Sequence, residues 1–85
     1  DTNDWTDYQG WFGGHRSIPG AAPYLSACHV EYHADPPRPG LNWLWIVFPC
    51  PTGIGGRAAD GWAASQQEAR DACDEAARKH GWSVK

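Results

Sequence analysis

The segment His29-Val30-Glu31-Tyr32-His33 holds the residues best suited to chemistry, because imidazole and carboxylate groups both ligate metals and exchange protons. In a strand, alternate residues share a face, so His29, Glu31 and His33 line up with about 6 to 7 Å between neighbours. Two neighbours can therefore chelate one ion. His29 and His33 lie roughly 13 Å apart along a flat strand and cannot easily share it. A tetrahedral zinc site would need further ligands, for which Asp35, His15, Cys50 and His80 are the obvious donors. A polar, water-facing strand surface asks for less. No cofactor is assigned, and a zinc-binding protein centred on His29, Glu31 and His33 is kept as an alternative.

The thiols carry less. Three Cys and four His allow many pairings, so finding one has little meaning. Cys73 lies on the apolar stripe of a predicted helix and Cys28 on the apolar face of a predicted strand, where each serves as a small hydrophobe. Cys50 sits between Pro49 and Pro51 and is the thiol to test for reactivity. No nucleophile-elbow serine and no zinc-protease helix motif occur. The stretch Gly53-Ile54-Gly55-Gly56-Arg57 lacks the Lys-Ser/Thr of a phosphate loop and leads toward a strand. The expectation is a protein that is not an enzyme.

Binding is the better prospect. Six Trp in 85 residues is high usage, and Met is absent. A domain this small has difficulty burying enough apolar surface, so large rings in the core are one explanation. The other is an interface, where Trp is enriched among the residues that dominate affinity. Ten Asp and Glu against seven Lys and Arg, a formal net charge of −3, argue against binding bulk nucleic-acid phosphates. Arg16, Arg38 and Arg57 all fall in expected loops that could meet at one end of a sheet.

These groups need elements to position them. Residues 1–23 read as an irregular aromatic arm, since Gly10, Gly13 and Gly14 weaken any helix and Pro19-Gly20 marks a turn. Residues 24–64 read as antiparallel strands. Residues 24–33 alternate between an apolar and a more polar face, and Asp35-Pro36-Pro37-Arg38-Pro39-Gly40 then forbids further ladder pairing. Residues 41–48 are apolar on both faces, with Leu41, Trp43, Trp45 and Val47 on one side and Leu44, Ile46 and Phe48 on the other, as in a covered central strand. Residues 57–64 form a short third strand.

Residues 65–80 are the expected helix. Ser65 and Glu68 form a capping box, Ala69, Ala72, Cys73, Ala76 and His80 share a face, and Gly81 stops the helix. Asp74 with Arg78 and Glu75 with Lys79 read as i,i+4 pairs on its wet side. The expected fold class is α+β: one domain, about three antiparallel strands and one C-terminal helix. A single helix covers one face. The other, with part of the Leu41, Trp43 and Trp45 row, needs the N-terminal arm, a second copy or a partner.

The strand-turn-strand-helix unit over residues 41–82, with Gly61-Trp62-Ala63-Ala64 followed by Ser65-Gln66-Gln67-Glu68-Ala69, resembles small phage- and prophage-encoded bacterial accessory proteins. Inhibitors of host defence, anti-CRISPRs among them, belong to that loose class. The resemblance implies a non-enzymatic binding protein that acts by steric occlusion.

The expected contact residues are Trp11, Phe12, Arg16, Arg38, Trp43, Trp45 and Arg57, with a protein as partner and a homodimer also open. A nucleic-acid-binding regulator using the sheet face is a second alternative. No run of 18 apolar residues exists to span a membrane, and Asp1-Thr2-Asn3-Asp4 lacks the basic start of a signal peptide. An odd number of cysteines with no CxxC pair fits a reducing cytoplasm, while a Cys28–Cys50 bridge stays open should the two lie on neighbouring strands.

Overall fold

The computed structural model describes residues 5–7, 12–17, 26–49 and 56–82. Five strands, β1 (Trp5–Asp7), β2 (Gly13–Ser17), β3 (Ser26–Tyr32), β4 (Trp43–Val47) and β5 (Ala59–Ala63), precede one helix, α1 (Gln66–Lys79). The strands form a single antiparallel sheet in the order β1-β2-β3-β4-β5, each pairing with its neighbour in the chain. The class is α+β, but with five strands where about three were expected. Among the described residues no helix is long and apolar enough to cross a membrane.

The two additional strands come from the segment read as an irregular arm. Gly14 argued against a helix there, and in the strand its missing side chain is what the packing requires. A Cβ at Gly14 would stand 2.8 Å from the Thr6 carbonyl oxygen and 2.9 Å from Arg70 Nη2. Close approach of another backbone is a recognised use of glycine in a strand. Gly61 in β5 repeats the device, since a Cβ there would lie 2.6 Å from the Trp45 indole. Trp45 thus covers its own cross-strand partner.

Register assigns the faces. Trp5 and Asp7, Gly14 and Arg16, Cys28, Val30 and Tyr32, Trp43, Trp45 and Val47, and Ala59, Gly61 and Ala63 share one side. The helix lies on that side and packs against β3, β4 and β5. Its sealed residues are Ala69, Cys73 and Ala77, one i,i+4 row, so the stripe differs from the expected one. Ala72 and Ala76 are half-buried flanks, and His80 is exposed at the C-cap. Small side chains let the helix sit close over Cys28, Val30 and Val47, while Trp5, Trp43 and Trp45 pack at the margins of this core.

Both helix ends are closed by their own sequence. Ser65 Oγ accepts from the Glu68 N–H at 3.2 Å. At the far end Gly81 takes φ +96°, its N–H donating to the Arg78 carbonyl at 3.2 Å and that of Trp82 to the Ala77 carbonyl at 2.9 Å. This pair of hydrogen bonds is the Schellman stop, and it turns Trp82 back into the core beside Ala77. The Trp82 indole N–H then donates to the Phe48 carbonyl at 2.7 Å.

Candidate functional site

The contact residues expected from sequence are separated by the fold. Trp11 lies outside the described residues. Arg16 is on strand β2 rather than in a loop, and only 3% of it is exposed. Its Nε and Nη2 donate to the two carboxylate oxygens of Asp74 at 2.7 and 2.8 Å, a bidentate pair between β2 and the helix. The Trp5 indole N–H donates to the same carboxylate at 3.2 Å. Arg70 joins from the helix, with Nη2 2.5 Å from Asp7 Oδ1, and both guanidiniums lie within 6 Å of the Trp5 ring: 5.7 Å for Arg16 and 5.2 Å for Arg70. Asp74, read as a wet-face residue paired with Arg78, is therefore a structural anchor. Glu75 and Lys79 do approach, at 4.0 Å on the exposed side.

Arg38 and Arg57 do not meet. Arg38 is exposed in the connection between β3 and β4, at the Tyr32–Trp43 end of the sheet. Arg57 precedes β5 at the opposite end, where Ala59 faces Val47, and its Nη1 lies 3.0 Å from Asp60 Oδ2. Trp43 and Trp45 were expected on an uncovered face, but register places both on the helix side. Trp45 packs against both halves of the core, and Trp43 against the half formed by Val30, Ala63 and Ala69.

At that edge the rings continue outward. Phe12 extends the β2–β3 pairing by one residue, its carbonyl accepting from the Tyr32 N–H at 3.2 Å. Tyr32 in turn faces Trp43 across β3 and β4. The Phe12 and Tyr32 rings meet edge to face at 5.8 Å and 70°, and those of Tyr32 and Trp43 at 5.4 Å and 67°. Phe12 is 70% exposed and Tyr32 41%, so a row crossing three adjacent chain segments reaches from the core into solvent. Tyr32 was not among the expected contact residues. Its place in the alternation with Cys28 and Val30 signalled the face, but its partner Phe12 lay in an arm read as irregular, with a short turn or strand laying its rings over the core.

Among the described residues, no helix lies on the opposite face of the sheet. Thr6, His15, His29, Glu31, Leu44, Ile46, Asp60 and Trp62 fall on it by register, with His15 directly across from His29. Here His29 Nε2 lies 2.6 Å from Glu31 Oε1, and His33 Nε2 hydrogen-bonds the other oxygen. The carboxylate thus separates the two imidazoles, which point their nitrogens at it rather than at a common point. Among the described residues no group of three or more His, Cys, Asp or Glu is placed to hold a metal ion. Partial burial pushes the Glu31 carboxyl up, but hydrogen bonds and charge from His29 and His33 outweigh this and hold it below the usual carboxylate range. The His33 ring also meets Trp62 edge to face at 5.2 Å.

Comparison with known proteins gives no family: no family model, no curated protein and no solved structure matches this chain.

Proposed function

We propose that this protein is a non-enzymatic module that binds another protein through the Phe12–Tyr32–Trp43 row. The exposure of Phe12 and Tyr32, held edge to face on a half-buried Trp43 base, carries the reading. Rings fixed by their neighbours lose little freedom on contact, which is why aromatic side chains anchor interfaces. Arg38, in the connection at the same end of the sheet, supplies directional hydrogen bonds at the rim. Arg16 and Trp45 are withdrawn from the contact set because the fold uses them internally. The mode of action is steric occlusion of the partner, as in phage or mobile-element inhibitors of bacterial defence systems.

The test is capture from nuclease-treated bacterial lysate with the natural chain and with Phe12→Ala and Tyr32→Ala side by side. A stoichiometric protein retained by the natural chain and lost by both variants supports the reading. A protein retained equally by all three chains moves the interface off this row. Retention that requires nucleic acid and falls steeply with salt replaces the reading with a nucleic-acid-binding one.

A further inference from the structure

We propose that Cys28 and Cys73 are a disulfide-forming pair able to staple the sheet to the helix. Both are free thiols with no exposed surface, one in β3 and the other in α1. The Cys28 thiol donates to the carbonyl of Cys73 itself at 3.6 Å, which sets its sulfur against the backbone bearing the second thiol. Cys73 Sγ donates to the Ile46 carbonyl at 3.2 Å, and Ile46 adjoins Val47, the register partner of Cys28. The two sulfurs therefore occupy one layer between helix and sheet. Burial pushes the Cys73 thiol far up, and its hydrogen bond to Cys28 and the charge there push it further.

The close approach has a sequence cause. Ala69, Cys73 and Ala77 are the residues the helix presses into the sheet, and larger side chains there would hold the two backbones apart. A disulfide needs Cα atoms about 4.4–6.8 Å apart, a separation that only a small-residue contact permits between packed elements. This pairing differs from the Cys28–Cys50 bridge left open by the sequence. It is also independent of the proposed protein-binding role.

The oxidant is a small disulfide such as oxidised glutathione. One cysteine thiolate attacks an oxidant sulfur, breaking its S–S bond and releasing one thiolate, and the second cysteine then displaces the other half from the mixed disulfide. Two cysteine thiols are oxidised, one oxidant disulfide is reduced to two thiols, and the protons pass from the former to the latter. Sealed, protonated thiols attack poorly. The bridge therefore forms while the helix is undocked, during folding or opening, and the closed core then keeps it.

The experiment refolds the full chain from denaturant in mixed oxidised and reduced glutathione, and in parallel incubates the folded chain in the same mixture. Cys50→Ser is run beside the natural chain to exclude mispairing. The expected product of refolding is lighter by two hydrogens, maps as a Cys28–Cys73 cross-link, and melts on the order of 10 °C or more above the reduced chain. The proposal is overturned if both cysteines take an alkylating label under denaturing conditions after both treatments. It is equally overturned if a bridge maps only to Cys50, or if the Cys28–Cys73 product melts below the reduced chain.

Discussion

Arg16 and Asp74 stand 58 positions apart in the chain and meet in a two-pronged ion pair that fastens β2 to the helix. The guanidinium is almost sealed from water, and the carboxylate also accepts from the Trp5 indole, so three elements share one charge cluster. Removing Arg16 leaves the largely buried Asp74 carboxylate with its Trp5 hydrogen bond but without the two guanidinium donors that hold it. Arg16→Met is accordingly expected to cost about 3–5 kcal/mol, measured by urea unfolding. Arg16→Met with Asp74→Leu is expected to recover much of that loss, because neither charge then remains. A double-variant loss equal to the sum of the Arg16→Met and Asp74→Leu losses would show that the pair is not coupled.

Trp45 and Gly61 offer a second test. With a Cβ the residue at 61 would overlap the indole, at 2.6 Å from the nearest ring carbon. Gly61→Ala should destabilise by about 1–3 kcal/mol, as overpacking does. A neutral or stabilising result in thermal melts would mean that the ring is free to move aside.

The two kinds of aromatic residue should separate in a stability assay. Trp45→Ala removes a ring shared by both halves of the core and should cost about 3–5 kcal/mol. Phe12→Ala removes a ring that is mostly in solvent and should stay within about 0.5 kcal/mol of the natural chain. Against an isolated partner, Phe12→Ala should nevertheless weaken binding on the order of tenfold or more, read by titration calorimetry.

Glu31 sets an acid limit. Its folded pKa lies below the ordinary value of 4.5, so the stability it contributes is present in full above that pH. It is lost as pH falls through the folded value, when the carboxylate between His29 and His33 takes up its proton. Glu31→Gln should therefore flatten the acid side of the stability profile below 4.5, with urea midpoints across pH as the readout. An unchanged profile would place the acid sensitivity elsewhere.

What the sequence disclosed depended on how local the cause was. The helix and its stops were legible because Ser65, Glu68 and Gly81 act within a few residues of one another. The alternation around Cys28, Val30 and Tyr32 revealed β3 for the same reason. Strand β2 was hidden because the justification for Gly14 lies in Thr6 and Arg70, which no local pattern connects to it. Arg16 resembled a surface cation for lack of any sign that Asp74 would reach it. The row of Phe12, Tyr32 and Trp43 was half visible: the rings were evident, but their adjacency required the register of three chain segments.

The order of the strands also bears on how the chain folds. Because every strand pairs with its neighbour in sequence, each pairing is local in the chain and closes at a modest entropic cost. The helix is the exception, since it comes last and fastens onto the first two strands through Trp5, Asp7 and Arg16. Docking of the C-terminal helix is thus the long-range event that turns a zippered ribbon into one cooperative unit. A chain lacking Asp74 would hold its early strands without the carboxylate that receives the Arg16 guanidinium, so ordering of the first strands and docking of the helix are tied together.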